Sequence, residues 1–180
     1  MNMNVIDTAL HGVKIIEPKV FGDVRGFFKE TFSAKRYRDM AGIELAFVQD
    51  NHSSSCKGVL RGLHFQKTKP QGKLVSVVRG AVYDVAADIN PTSPTYGQYV
   101  GVELSEDNHR QLWVPPGYAH GFVVLTDVVD FVYKCTDYYD STDEGGIAWN
   151  CPVLNISWPL TEVQLSEKDQ NYPGLKDLHG

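Results

Sequence analysis

The stretch Lys73–Ile89, KLVSVVRGAVYDVAADI, decides the fold class, because it has the pattern of two consecutive β-strands. Both halves, Lys73–Ala81 and Val82–Ile89, are rich in β-branched and alternating residues, and Gly80 lies near their junction. Turn residues separate the further strand patterns that follow, which are Tyr99–Leu104, Gln111–Val114, Gly121–Leu125 and Asp130–Thr136. Many short strands at this spacing predict a β-sandwich or a small β-barrel.

Helical patterns are few. Glu30–Met40 predicts one short helix, and Ser166–Asn171 is a candidate start of another. The chain has 180 residues, which fits one domain with a sizeable core, and it shows no repeat, linker or low-complexity segment. We therefore expect a single, mainly β domain over residues 1–180, with a loose tail over residues 171–180.

Composition excludes several classes of protein. The net charge is −5 at pH 7 and both signs are mixed along the chain, which argues against a nucleic-acid surface. No apolar run approaches the roughly 20 residues that span a bilayer, and the N-terminus lacks an export signal. The cysteines, Cys56, Cys135 and Cys151, are odd in number and have no paired spacing, which indicates reduced thiols. We expect a cytoplasmic protein that binds neither nucleic acid nor membrane.

Two segments resemble the motifs of the cupin superfamily. Gly62–Gln66 (GLHFQ), running on to Gly80, has the outline of the first motif, and Pro115–His120 (PPGYAH) that of the second. A metal-dependent cupin contributes several His and Glu ligands from these motifs, because a mid-row metal wants several N and O ligands. Here only His64 and His120 remain. The resemblance implies a cupin-like double-stranded β-helix (jelly-roll) barrel with a few short helices, without a metal and with chemistry done by side chains alone.

Eight segments, in order, resemble the dTDP-4-dehydrorhamnose 3,5-epimerase family and together span nearly the whole chain. They are Asp23–Glu30 (DVRGFFKE), Phe47–Ser55 (FVQDNHSSS), Gly58–Gln66 (GVLRGLHFQ), Gln71–Leu74 (QGKL), Trp113–Phe122 (WVPPGYAHGF), Tyr133–Tyr139 (YKCTDYY), Glu144–Trp149 (EGGIAW) and Leu165–Gln170 (LSEKDQ). The resemblance implies a homodimeric isomerase that needs no cofactor. It also implies a substrate, dTDP-4-dehydro-6-deoxyglucose, and a place in the route to dTDP-L-rhamnose for cell-surface polysaccharide.

Epimerisation beside a ketone needs a base on one face of the sugar and an acid on the other. His64 is the candidate base, since its unperturbed pKa of about 6.5 lies near working pH. The alternative is a core or turn histidine held by the backbone. A catalytic histidine needs a partner that fixes its tautomer, and the resemblance implies Asp169 for this role. Taken alone, Asp169 has the pattern of a solvated turn residue.

The resemblance identifies Tyr133 as the acid. Strand alternation puts Phe131, Tyr133 and Cys135 on one face, so the alternative is an inward-facing core aromatic. Tyr138 and Tyr139 are nearby competitors for the same role.

Stabilisation of the enolate needs a positive group aimed at its oxygen. The resemblance implies Lys73, which by itself has the pattern of a solvated residue at a strand edge. His120 either adds a hydrogen bond near the site or ties down its own turn, and the sequence leaves both roles open.

Recognition of the nucleotide is the second task of the site. Guanidinium groups pair bidentately with phosphate oxygens, and Arg61 and Arg25 are the candidates. Arg25 lies in a segment that the family contributes across the dimer interface. The resemblance completes the substrate-binding set with Phe28, Glu30, Gln49, Asn51 and Glu144. Each of these residues alone fits an ordinary surface position.

Four alternatives remain open at the level of sequence. A relative that inverts only carbon 3 or only carbon 5 shares the same base and acid. A ketoisomerase on the same type of substrate is disfavoured by the LSEKD ending. A catalytically silent cupin has no reason to keep a base, an orienting carboxylate, an enolate stabiliser and an acid together. A metal-dependent cupin oxygenase ranks last, because it lacks the ligands.

Overall fold

The structure, a computed structural model, describes residues 2–178. Over these residues the chain forms thirteen strands, two short α-helices and one turn of 3-10 helix. The strands are β1 (Asn4–Asp7), β2 (Lys14–Glu17), β3 (Val20–Asp23), β4 (Gly26–Lys29), β5 (Gln49–Cys56), β6 (Leu60–Gln66), β7 (Lys73–Arg79), β8 (Ala81–Asp88), β9 (Tyr99–Ser105), β10 (Gln111–Val114), β11 (Tyr118–Val124), β12 (Val128–Cys135) and β13 (Glu144–Gly146). The helices are α1 (Ala34–Ala41) and α2 (Glu167–Gln170), and the 3-10 turn is Leu175–Asp177.

Two antiparallel sheets make up the body of the molecule. One has six strands in the order β1-β2-β10-β7-β12-β5, and the other has five in the order β13-β6-β11-β8-β9. Strands β3 and β4 form a separate hairpin. This architecture confirms the prediction of a mainly β fold with a few short helices.

The main core lies between the two sheets. Side chains alternate along a strand, so Val75 and Val77 of β7 enter the core together with Phe131 of β12. Phe131 is 1% exposed and stacks on Phe122 of the opposite sheet, with ring centroids 4.2 Å apart. Tyr133 is two residues further along β12, so the same face of the strand leads from the core towards the site.

Helix α1 covers part of the outer face of the six-stranded sheet. It begins after Ser33, whose hydroxyl accepts a hydrogen bond from the Arg36 amide, and it ends at Gly42, which has a φ of +69°. Tyr37 is 2% exposed, and its hydroxyl donates to Gln111 Oε1 over 2.6 Å. The predicted helix over Glu30–Met40 therefore begins later than expected, because the Ser33 cap fixes its start.

The β3–β4 hairpin projects from the sheets. Val24 at its tip is fully exposed, and both Phe27 and Phe28 are 61% exposed. Its base is held by Lys29, whose Nζ lies 3.0 Å from His109 Nδ1, and by contact of Phe27 with the same imidazole ring.

The C-terminal segment packs against the five-stranded sheet. Ser166 caps α2 by accepting a hydrogen bond from the Asp169 amide over 3.1 Å. The tail was expected to be loose over 171–180, but Leu175 is 1% exposed in a second core. The described part of the tail is packed because its apolar side chains cover that core, while residues 179 and 180 lie outside the described residues. No helix within residues 2–178 has the length and apolar character to cross a membrane.

Candidate active site

A cavity of about 180 Å³ opens between the two sheets, lined mostly by polar side chains. Residues from both sheets and from two connecting loops form its wall: Gln49, Asn51, His64, Phe65, Gln66, Gln71, Lys73, Tyr133, Tyr139 and Glu144. Six of the residues singled out from the sequence therefore meet at one place, namely Gln49, Asn51, His64, Lys73, Tyr133 and Glu144.

His64 lies on β6 with Asp169 of α2 behind it. The distance from His64 Nε2 to Asp169 Oδ1 is 2.6 Å, and Asp169 is 3% exposed. Burial alone would raise the pKa of Asp169, but its hydrogen bond with His64 and the one from the Gly62 amide more than offset this, so the pKa is lowered. An ionised Asp169 holds the proton of His64 on Nε2, which leaves Nδ1 as the basic nitrogen.

Glu144 faces the other ring nitrogen of His64. Its Oε1 lies 4.0 Å from His64 Nδ1. Its Oε2 accepts hydrogen bonds from Lys168 Nζ over 2.6 Å and from the Tyr139 hydroxyl over 3.1 Å. The carboxylate is thus held at the cavity wall beside the basic nitrogen.

Tyr133 and Lys73 enter the cavity from the opposite sheet. Strands β12 and β7 are neighbours, with Cys135 paired to Lys73 and Tyr133 paired to Val75. Paired residues share a face of the sheet, so Lys73 and Tyr133 point to the same side. His64 and Tyr133 therefore approach the cavity from two different walls, as a base and an acid on opposite faces of a sugar require.

Burial shifts the pKa of both groups on this wall. It raises the pKa of Tyr133, with the nearby Cys135 and Glu144 adding to the effect, so the hydroxyl stays protonated at neutral pH. It lowers the pKa of Lys73, although the nearby Glu144 and Asp84 favour the charged form. The Lys73 ammonium forms no hydrogen bond or ion pair with another residue of the described chain, so its donors remain open to a ligand.

His120 lies one strand away, opposite His64 in the pairing of β11 with β6. It is 7% exposed, and its Nε2 lies 2.9 and 3.0 Å from the two carboxylate oxygens of Asp84. Burial raises the pKa of Asp84, while His120 and Lys73 oppose the shift. His120 is thus bonded to Asp84 of β8, which lies beside Lys73, and it does not itself line the cavity; its hydrogen bond to the substrate stays a prediction.

Two polar residues of β5 line the cavity, and Arg61 lies close to it without lining it. Gln49 Nε2 donates to Asn51 Oδ1 over 3.1 Å on β5. Arg61 is exposed on β6, where its Nε donates to Ser55 Oγ over 3.1 Å. Its positive charge lowers the pKa of Tyr133 against the effect of burial, so the guanidinium acts on the cavity from its edge.

Three predicted binding residues, Arg25, Phe28 and Glu30, do not line the cavity. Arg25 donates from Nε to Asp23 Oδ1 over 3.1 Å within the β3–β4 hairpin. Phe28 is on the same exposed hairpin, and Glu30 accepts from Arg36 Nε over 2.7 Å at the foot of α1.

Some residues of the site were missed by reading the sequence. Asp84 is fully buried next to Lys73 and His120, and the signal for it was an acidic residue inside the apolar strand VYDVAADI. Gln66 is 5% exposed and bonds to Lys69 O and Tyr138 O, so it holds the loops beside the cavity. Among residues 2–178, no group of three or more His, Cys, Asp or Glu side chains is arranged to hold a metal ion.

The known proteins that this chain resembles are epimerases of dTDP-linked deoxy sugars. The family model described as dTDP-4-dehydrorhamnose 3,5-epimerase matches residues 7–177. A protein of that name from Shigella flexneri is 55% identical over 170 residues, which cover 94% of each chain. A crystal structure of dTDP-6-deoxy-D-glucose-3,5-epimerase from Legionella pneumophila, in complex with dTDP-4-keto-L-rhamnose, has a TM-score of 0.96 at 56% identity and covers 98% of this chain and 95% of that one.

A more distant structure has a narrower reaction. The 3′-monoepimerase of Streptomyces bikiniensis in complex with dTDP-quinovose has a TM-score of 0.90 at 32% identity and covers 95% of this chain and 87% of that one. The fold is therefore shared by proteins that differ in how many carbons they invert.

Proposed function

This chain belongs to the dTDP-4-dehydrorhamnose 3,5-epimerase family, and from that premise we propose that it inverts carbons 3 and 5 of dTDP-4-dehydro-6-deoxy-D-glucose. The product is dTDP-4-dehydro-L-rhamnose, the precursor of dTDP-L-rhamnose. The observation that carries the proposal is the cavity itself, which has the His64–Asp169 pair on one wall and Tyr133 with Lys73 on the other.

The first step is removal of a proton beside the ketone. The carbonyl at carbon 4 acidifies the C–H bonds of carbons 3 and 5. His64 Nδ1 takes the proton, and the electron pair of the C–H bond moves into an enolate. Asp169 stabilises the imidazolium that results, because its carboxylate is buried and lies 2.6 Å from Nε2.

The second step returns a proton to the other face of the same carbon. Lys73 stabilises the negative enolate oxygen from the wall opposite His64. Tyr133 donates its hydroxyl proton to the carbon, and the configuration is inverted. After one inversion His64 carries an extra proton and Tyr133 lacks one. Before the next inversion, His64 therefore releases a proton to water and Tyr133 takes one up from water. Solvent hydrogen therefore enters each carbon that reacts.

Binding of the nucleotide completes the proposal. We assign Arg61, which lies near the cavity without lining it, to the diphosphate, and we assign Gln49, Asn51 and Glu144 to polar contacts inside the cavity.

The working unit in this proposal is a homodimer. The β3–β4 hairpin exposes Phe27 and Phe28, together with Phe21 at 45%, and an apolar patch of this kind marks an interaction surface. Arg25, Phe28 and Glu30 would then reach the cavity of the partner subunit instead of their own. We further propose one domain over residues 1–180 and a cytoplasmic location, which the free thiols of Cys56, Cys135 and Cys151 support.

Proton NMR in deuterated water tests the function. Purified, chelator-treated protein is incubated with dTDP-4-dehydro-6-deoxyglucose and a coupled reductase. We expect deuterium at carbons 3 and 5 and formation of dTDP-L-rhamnose. Deuterium at one carbon alone would identify a single-carbon epimerase, which is the second candidate because of the likeness to the Streptomyces bikiniensis enzyme. No incorporation would favour a silent, sugar-nucleotide-binding cupin.

Replacing Arg61 by alanine is expected to weaken dTDP binding by roughly tenfold to a hundredfold, because a charged hydrogen bond to phosphate contributes about 1.5 to 3 kcal/mol. Calorimetric titration with dTDP measures the change. Arg79→Ala, which removes an exposed arginine at the end of β7, is the matched control and should bind like the wild type. Unchanged affinity in Arg61→Ala would remove this residue from the phosphate site.

A further inference from the structure

Tyr172 packs directly against the proposed base. It follows α2, three residues after Asp169, and its ring meets the His64 imidazole in a T-shaped contact with centroids 5.8 Å apart and an interplanar angle of 70°. On its other side the ring lies against the backbone of β13, where a Cβ added at Gly146 would be 2.4 Å from the ring. Tyr172 is therefore fixed between β13 and His64.

The hydroxyl of Tyr172 does not explain this position. It is buried and has no hydrogen bond of regular geometry within residues 2–178, although the Lys168 side chain lies near enough to lower its pKa. Burial and the negative charge of Glu144 raise the pKa of Tyr172 to about 12, so the side chain is neutral at working pH. The aromatic ring is thus the part that acts on the site.

The hydrogen bond to Asp169 leaves the His64 ring one freedom. The ring is anchored at Cβ by its covalent bond and at Nε2 by this hydrogen bond, but it can still tilt about the line that joins these two atoms. A tilt displaces Nδ1, the nitrogen that must meet the C–H bond of the sugar. A contact on the ring itself removes this motion, and Tyr172 makes such a contact.

We propose that Tyr172 is a positioning residue, whose ring fixes the plane of the His64 imidazole while Asp169 fixes its tautomer. The inference rests on the proposed role of His64 as the base. It predicts that one short segment, Asp169–Tyr172, provides both constraints, so a change at Tyr172 affects the rate of proton abstraction and leaves nucleotide binding alone.

The test compares three variants of the full chain. Tyr172→Ala should lower kcat between about tenfold and a hundredfold, since a displacement of about 1 Å of a reacting group has this effect. KM and the Kd for dTDP should stay within about twofold of the wild type. Tyr172→Phe keeps the ring and should restore wild-type kcat. Leu178→Ala removes packing from the same tail without touching His64, and it should also keep wild-type kcat.

The outcomes separate this inference from the proposed function. Wild-type kcat in Tyr172→Ala, an equal loss in Tyr172→Phe, or an equal loss in Leu178→Ala would each overturn the positioning role. A rise of KM equal to the fall of kcat would also overturn it. If Tyr172→Ala does not fold, Tyr172→Leu retains bulk without the aromatic edge and should show the same loss of kcat. A wild-type chain that exchanges no sugar proton would overturn the proposed function and this inference together, whereas an active wild type confines any failure to Tyr172.

Discussion

Replacing His64 by alanine is expected to lower turnover by about 10²- to 10⁴-fold, the usual contribution of a general base, while dTDP binding stays close to wild type. The reason is geometric: His64 faces the part of the cavity that also holds Tyr133 and Lys73, whereas Arg61 acts at the edge. Turnover is measured with a coupled reductase, and binding by calorimetric titration with dTDP.

A second histidine of the chain provides the matched control. His52 also lies next to a carboxylate, with Nε2 3.2 Å from Asp130 Oδ1, but its side chain is 59% exposed. His52→Ala should keep wild-type turnover. Asp169→Asn should resemble His64→Ala, because an amide cannot stabilise the imidazolium. Parallel loss of turnover and dTDP binding in His64→Ala would show that His64 is structural.

In the Tyr133→Phe variant, we expect sugar protons to exchange with the solvent although the configuration of the carbon is no longer inverted. The phenyl ring keeps the contact with Phe131, whose centroid is 5.9 Å away, so only the hydroxyl is lost. His64 can still remove a proton and return a solvent deuteron to the same face. We therefore expect substrate that carries deuterium in at least one position but has not changed configuration, together with a loss of product formation. Proton NMR in deuterated water detects both.

Tyr139 is the matched control for this experiment, because it also lines the cavity. Its hydroxyl donates to Glu144 Oε2 over 3.1 Å and is therefore engaged with a carboxylate. Tyr139→Phe should still invert its substrate. If Tyr139→Phe blocks inversion and Tyr133→Phe does not, the acid is Tyr139. Tyr138, the other competitor, is 64% exposed.

The sequence was sufficient to predict the strands of the second half of the barrel, β7 to β12, but it did not predict β5 or the β3–β4 hairpin. Strands β7 to β12 were predicted within a few residues, because they are rich in β-branched and aromatic residues and turn residues separate them. Strand β5, QDNHSSSC, was missed although its burial alternates along its whole length, because nearly all its residues are polar. The hairpin β3–β4 was missed for the opposite reason, since its aromatic residues face solvent and not a core.

Some residues of the candidate site could be predicted from the sequence and others could not. Family resemblance named His64, Lys73 and Tyr133, which meet in one cavity. An acidic residue inside an apolar strand marks Asp84 as unusual, but local patterns cannot name its partner, because His120 is on another strand. Nor can they reveal that Tyr172 lies against His64, since that contact depends on how the C-terminal segment docks on β6 and β13.

The docking of α2 on β6 determines when, during synthesis, the protein can become active. His64 and Asp169 are separated by 105 positions in the sequence. During synthesis the strands of both sheets emerge from the ribosome before the segment that orients the base. A nascent chain can therefore bury the main core between the two sheets while it is still catalytically silent. Activity would then appear only when Asp169 has been released and α2 has docked on β6, so that turnover reports on a docked α2 and not on the two sheets alone.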